Sequence, residues 1–584
     1  MPLLSRPQSL NLHRKLEEQR AAAVGPRPFR GPGSAWYHGR HSHVRAAGPA
    51  SAAELSNWPV DLSDAIWGGN TAESRARKAC AVALLVRGVV IHSDFSGKRS
   101  HEAAFRVHSF AMHYHNMFMP PLHQWLRFHR SCDPAEACRK IARWGSYPAA
   151  HIFHDVSDYF PASVITEVER LRPNAAADLM TKLNSMDDIE QTLRWTSDRG
   201  VFKKSPHAPC AVHTWKEEGC PVFATDVGGS HIVSCAGTMC TPWSKCGNRL
   251  GFAHPDMESH YKWESITSGH CKHHGLDMCH LEQSDQFPLD DQIRWMHDRG
   301  MTTLAIRLAP SDIGWPIHGR RSFAFSFRDE KFACLAPLDP IRLRAHFMSI
   351  FHRRVRCDGE VFCNNANTTE QREARCANFA PSKRRRHVHA AAGDIMQAPL
   401  ESLCSGSLLQ RVKASLTRCA THSGASGTMM CDLTQNPEKM NACGPWMPRP
   451  RRNTQIACFK GVQDRVGYIM TPREMSFAMG WPSVATAENT PWRHLVSNAE
   501  DETNINYTQQ VQMTGGGIHL ALLFAWLLYV HSHIVERATL LRFQPAPTAD
   551  LSLWSAAVRI ARSRSSLTLG SNGDADEGHD FEMH

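Results

Sequence analysis

The sequence predicts an α/β fold, a mostly parallel sheet with helices on both faces, and three observations predict it. Strand-like runs recur at GVVIHSDFSG (Gly88 to Gly97), Trp125 to Cys132 and HIFHDV (His151 to Val156). Helix-compatible stretches separate them, Ser100 to about Asn116 and AEACRKIARW after Asp133-Pro134. Each run also closes on an acid: Asp94, Asp133 and Asp155. Strands alternating with helices at this spacing build a doubly wound sheet whose ligands lie beyond the carboxyl ends of its strands. A single acid after a strand is normally a turn residue or N-cap. Three in succession point to a nucleoside-type ligand.

Further along, residues 158–229 form an insertion, helical in part and then rich in Pro, Gly and Cys, with no legible role. SHIVSCAG (Ser230 to Gly237), GLDMCHLEQS (Gly275 to Ser284) and MTTLAIRL (Met301 to Leu308) continue the strands. Two helices end alike, at Arg194-Trp195 with Asp198-Arg199-Gly200 and at Arg294-Trp295 with Asp298-Arg299-Gly300, which predicts a glycine C-cap used twice. From 331 to 463 periodicity weakens and basic clusters appear (Lys383 to Arg386; Arg449, Arg451, Arg452), as in a loop-rich recognition lobe. Regular patterning resumes over 464–535. GIHLALLFAWLLYV (Gly517 to Val530) falls short of the ~20 residues that span a bilayer, so it predicts a buried helix and no membrane association. The ends, 1–87 and 536–584, are expected to be a basic disordered arm or transit segment and an Arg/Ser and acidic tail.

Bulk properties bound the function more loosely. A chain of 584 residues accommodates a catalytic domain with a smaller unit beside it. The 66 Lys+Arg against 56 Asp+Glu leave a charge of +10, which favours a polyanionic partner where the excess clusters. Nineteen Cys at this length are too sparse for a secreted disulfide scaffold and suit a reducing compartment.

The segment richest in chemistry is GTMCTPWSKCGNRLGFAHPD, Gly237 to Asp256. A cysteine directly after a buried strand and before Thr-Pro stands at the rim where a sheet presents ligands, and a nucleophilic thiolate needs that exposure. GTMCTPWSKCGNRLGF resembles the nucleophile motif of the cytosine-C5 DNA methyltransferase family, a Pro-Cys pair followed by a polar residue and then Ser and Gly. In the family's order, SDFSGKRS (Ser93 to Ser100) resembles the Phe-x-Gly cofactor loop, Cys132-Asp133-Pro134 the ribose-binding acid, and HDVSDYFP (His154 to Pro161) the acid near adenine. HLEQS (His280 to Ser284) resembles Glu-Asn-Val, and SDIGWPIHGRRSFAFSFR (Ser311 to Arg328) the strand motif Gly-Val-Pro-Gln-x-Arg-x-Arg. MTPREMSFAMGWP (Met470 to Pro482) resembles the segment after the target-recognition region, and TGGGIHLALLFAWLLYV (Thr514 to Val530) the closing Gly-Asn helix. The resemblance spans residues 88 to 530.

The resemblance implies a Rossmann-like S-adenosylmethionine-dependent methyltransferase sheet over 88–330, a target-recognition lobe over 331–463, and a segment completing the catalytic domain over 464–535. It also implies methylation of cytosine C5 in DNA, with Cys240 adding to C6, Glu282 acting at N3 and Arg321 donating to O2. Phe95, Ser96, Gly97, Asp133, Asp155, Gly515 and Gly516 are the expected S-adenosyl-L-methionine contacts, and no metal is expected. A buried carboxyl at a strand end keeps its proton near neutrality, as N3 chemistry demands. Activity on RNA, and a catalytically silent nucleic-acid-binding relative, remain open readings; so does a zinc-binding interaction protein built on CKHHGLDMCH (Cys271 to His280) with Cys357, Cys363 and Cys376, although no paired C-x-x-C occurs. The family implies a nuclear site in a eukaryote; the basic N-terminal arm leaves an organelle-targeted form as the alternative.

Overall fold

The computed structural model describes residues 46–542 except 96, 118–120, 144–147, 225–226, 239, 244–249, 364–367, 380–395, 398, 401–405, 422–427, 436–442, 461–463, 465, 484–489 and 497–504. The basic run Lys383 to Arg386, Ser96, Met239, the first 45 residues and the acidic tail therefore lie outside the described residues.

Seven strands form the central sheet: β1 (Val89–Asp94), β2 (Leu126–Cys132), β3 (His151–Phe153), β4 (His231–Ala236), β5 (Met278–Ser284), β6 (Met301–Leu308) and β7 (Arg321–Arg328). Their spatial order is β3-β2-β1-β4-β5-β7-β6. The pairs from β3 to β5 are parallel, and only β7 runs antiparallel to both its neighbours. This is the mixed, largely parallel α/β sheet that the sequence predicts. Every residue of β1, β4 and β5 is buried, because helices cover both faces, so their polar residues, His92, Ser93, Asp94, Ser234, His280 and Gln283 among them, are taken into the core with the apolar ones. Winding reverses between β1 and β4, the switch point at whose carboxyl ends sheets of this kind take their ligands.

The N-terminal expectation needs correction. Residues 52–85 are helical and integral to the core, with α1 at Trp58–Trp67 and α2 at Ala72–Leu85. Pro59 opens α1, and Trp58, Leu62 and Ile66 repeat every four residues along its buried stripe. Trp58 stacks edge-on against Trp492 and Phe524, both at 5.0 Å, and its indole N–H donates to the Gly480 carbonyl at 3.1 Å. The basic bias of the first fifty residues concealed that stripe.

Six more helices position the site: α3 (Ser100–Tyr114), α4 (Leu179–Asp198), α5 (Met257–His273), α6 (Pro340–Phe351), α7 (Pro472–Ala478) and α8 (Tyr507–Gly516). A last one, α9 (Leu520–His531), is apolar all round and wholly buried against α3, as the sequence predicts. The His519 side chain caps it by accepting from Leu522 N–H at 3.2 Å. The insertion packs α4 on α5 and sends a hairpin, His207–Ala208 with Cys220–Pro221, to the β3 edge of the sheet. Both predicted glycine caps are present: Gly200 and Gly300 have φ of 74° and 70°, while Arg199 and Arg299 lie 3.9 and 3.8 Å over Trp195 and Trp295.

The lobe boundaries also shift. Phe332–Cys334 pairs with Ile534–Glu536, and α6 packs on β6 and α1, so the first twenty residues assigned to the lobe belong to the main body. The lobe's own antiparallel sheet comprises β8 (Thr428–Asp432), β9 (Cys443–Gly444), β10 (Ile456–Lys460) and β11 (Tyr468–Ile469), in the order β9-β8-β10-β11. It thus extends past residue 463. Pairing of a strand's exposed edge, not composition, sets both limits.

Candidate active site

Cys240 follows β4 in the loop at the switch point and is exposed, whereas twelve of the other free cysteines among the described residues are buried. A buried network holds its loop. Thr238 receives two hydrogen bonds from the Gln283 amide, one to its carbonyl at 3.1 Å and one to its hydroxyl, and that hydroxyl lies 3.1 Å from His260 Nδ1. His260 Nε2 in turn meets Glu264 at 3.3 Å. On the far side of Cys240 the Trp243 N–H donates to the Cys240 carbonyl at 3.2 Å, and the indole packs on Phe252 and Phe287.

Glu282 and Arg321 meet through strand register. In the antiparallel β5–β7 pair Arg321 stands opposite Ser284, which puts it diagonal to Glu282 on one face. Arg321 Nε lies 2.9 Å from Glu282 Oε1. Arg449 of the lobe reaches the same oxygen at 3.7 Å, donates to the Gly517 carbonyl at 3.2 Å, and is within electrostatic reach of Cys240. Glu282 Oε2 lies 3.8 Å from the position a Cβ on Gly237 would occupy, so the Cys240 loop passes directly beside the carboxyl. Burial pushes the Glu282 pKa up, and the two arginines only partly offset it. Burial and the neighbouring Arg321 pull Arg449 down to about 9, which leaves its guanidinium charged at neutral pH.

Of the expected cofactor residues, Phe95, Gly97, Asp133 and Asp155 follow the carboxyl ends of three adjacent strands, and Gly515 and Gly516 end α8. After β1 the chain turns sharply through Phe95 and Gly97, with φ of 54° and 51°, into the N-terminus of α3. Asp133, after β2, accepts from Gly97 N–H at 2.8 Å and Ala135 N–H at 2.9 Å; burial raises its pKa and these two bonds work against the rise. Asp155, after β3, caps a short 3₁₀ turn through Ser157 N–H at 2.7 Å and a reciprocal bond with Asp158. The Gly516 carbonyl faces Gly97, while Gly515 packs against the backbone of Arg451 and Arg452. Asp94 is committed to the core, where Arg130 grips it with both Nε (3.1 Å) and Nη2 (2.6 Å). Lys98 and Arg99 turn away from the cleft, Lys98 to Ser476 at 2.7 Å and Arg99 to Glu102 at 3.3 Å.

Sequence reasoning missed Arg449, Gln283, Thr238 and His260. Arg449 stood in a basic cluster with nothing to separate it from its neighbours, and Gln283 read only as a substitution in the Glu-Asn-Val motif. The zinc reading on Cys271 to His280 does not hold, because these groups diverge. Cys271 contacts Met301, His274 bonds to the Phe202 carbonyl, and His280 pairs with His101. The Cys376 side chain lies outside the described residues.

No protein-family model matches the sequence, and comparison with curated proteins finds no match. Among solved structures, a DNMT2 mutant of Spodoptera frugiperda aligns over 76% of this chain and 99% of its own, at 11% identity and a TM-score of 0.33. The Dnmt2 methyltransferase of S. pombe covers 76% and 97% at 9% identity and a TM-score of 0.31. The Entamoeba histolytica methyltransferase EhMeth covers 76% and 97% at 11% and 0.32. Likeness this remote carries no argument about chemistry, which rests on the site itself.

Proposed function

We propose that this chain methylates C5 of cytosine in DNA through a covalent cysteine adduct, with S-adenosyl-L-methionine as methyl donor. The observation that carries the reading is an exposed Cys240 in the switch-point loop, whose Gly237 passes beside a buried Glu282 of raised pKa, with Arg449 within electrostatic reach of both Cys240 and Glu282 and Arg321 paired to the carboxyl. The residues fit the donor: Phe95, Gly97, Asp133 and Asp155 line consecutive strand ends, and the Asp133 carboxylate, with four acceptor positions, keeps one beyond its bonds to Gly97, Ala135 and Cys138. Phe95 and Gly97 would hold its methionine end, Asp133 its ribose and Asp155 its adenine. When bound, it supplies an electrophilic methyl group on a sulfonium.

The Cys240 thiolate adds to C6 of a base flipped from the duplex, forming a C–S bond and moving the C5–C6 electron pair onto C5. Glu282 donates its proton, or a hydrogen bond, at N3 to stabilise the charge that develops there. Arg321 orients the ring through O2, and Arg449 favours the thiolate electrostatically. Loss of the C5 proton after methylation expels Cys240 and restores the ring. The basic lobe supplies phosphate contacts.

A methyl-transfer assay with labelled donor on DNA and on RNA tests the reading. Label should enter DNA with the wild type and none should enter with Cys240→Ala, while DNA carrying 5-fluorocytosine should trap a covalent adduct. Label incorporated by Cys240→Ala would overturn the mechanism. Label confined to RNA would overturn the substrate.

A further inference from the structure

The insertion supplies a second constellation, unrelated to the cleft. Cys210, His213 and Cys220 converge on His151, and one donor atom from each lies within 4.8 Å of all the others. His213 Nδ1 stands 3.6 Å from Cys210 Sγ and 3.3 Å from Cys220 Sγ, and His151 Nδ1 stands 4.0 Å from Cys210 Sγ. A tetrahedral zinc with Zn–S of about 2.3 Å and Zn–N of about 2.0–2.1 Å has ligand-to-ligand edges of about 3.6 Å. The three separations bracket that edge. We propose that these four side chains bind one Zn²⁺ as a structural Cys₂His₂ site.

The chemistry of the donor set supports a closed, structural site. Two thiolates and two neutral imidazoles around Zn²⁺ carry no net charge, so the complex can sit among apolar neighbours without a desolvated ion. Binding releases two thiol protons, one from each cysteine. Both cysteines are buried and both histidines are partly exposed, which gives the metal a route from solvent. Four protein ligands leave no position for water or substrate.

The location explains what such a site would do. His151 begins the edge strand β3, and the other three donors lie on the hairpin and its loop. Apart from the metal, the hairpin is tied to β3 by the Phe153–Cys210 bridge and by Ala211 N–H donating to the Ile152 carbonyl at 2.8 Å. The two-residue strands of the hairpin are far too short to be stable alone. A zinc ion would staple the insertion over the open edge of the sheet, which exposed strands require. The inference is independent of the methyltransferase reading.

Elemental analysis of the full chain, purified under reducing conditions and dialysed, tests it. We expect about one zinc per chain, falling at least tenfold in the Cys210→Ser/Cys220→Ser variant and unchanged in Cys357→Ser. Because the double variant can lose its fold, the wild type is also stripped with chelator and titrated with Co²⁺. Thiolate-to-metal and tetrahedral ligand-field absorption saturating at one equivalent supports the site. No such absorption, undiminished zinc in the double variant, or a Cys210–Cys220 disulfide in the reduced preparation overturns it.

Discussion

At the scale of single residues the decisive group is Glu282. Its burial favours the protonated form while Arg321 and Arg449 favour the charged one, and burial prevails, so the carboxyl holds its proton to higher pH than a solvated glutamate. For an acid that must be protonated to act, turnover falls as pH rises through that elevated pKa. Replacing Glu282 with Gln should lower kcat by about 10²–10⁴-fold and remove this alkaline limb, leaving cofactor affinity and fold intact. A kcat–pH profile of both proteins checks the assignment; a limb that persists in Glu282→Gln belongs to another group. The Glu282–Arg321 pair was legible beforehand because two short motifs on neighbouring strands fix it. Arg449 was not, since nothing local distinguishes it from Arg451 or Arg452; it reaches the site only because Met447 bonds across to the Pro316 and His318 backbone.

At the scale of elements the lobe is locked to the main body by close backbone approach. A Cβ on Gly515 would stand 2.0 Å from the Arg451 carbonyl carbon, a backbone atom that cannot swing aside. Gly515→Ala should therefore force α8 away from the Arg451–Arg452 segment and cost about 1–3 kcal/mol, read as a lowered denaturation midpoint. Because Arg449 is two residues from that contact, activity should fall by more than the lost stability explains. A variant as stable and active as the wild type would show that the approach is not needed. The glycine run was read in the sequence as a cofactor contact; at Gly515 the structure adds a packing reason for glycine that the sequence did not show. Hydropathy announced α9 clearly, whereas α1 and α2 were masked by the basic composition around them.

At the scale of the whole molecule the core contains many imidazoles. Burial pushes His101, His108, His519 and His533 each down to about 3. In the unfolded chain the same groups titrate near 6.5. Above that value neither state binds the protons and stability is intact. As pH falls below it the unfolded chain is protonated first, so stability drains away from about 6.5 downward. At pH 5 each group costs about 2 kcal/mol, which four together raise to a large part of a typical stability of about 5–15 kcal/mol. Acid unfolding followed by circular dichroism should accordingly have its midpoint near pH 5, in a range where carboxylate protonation has barely begun. A fold that persists to pH 4 would show that these histidines are not buried as neutral groups.

The order of strands and helices, the buried character of α9, the strand-end positions of Asp133 and Asp155, and the exposed setting of Cys240 follow from the chain alone. Each depends on hydrophobic periodicity or on a motif within a dozen residues, and such signals survive without knowledge of what packs where. Other features waited on the tertiary structure: the Asp94–Arg130 pair, the reach of Arg449, the place of residues 52–85 in the core, and the meeting of His151 with Cys210, His213 and Cys220. They join residues 36 to several hundred positions apart, and only the closing of those loops by the fold decides which groups become neighbours.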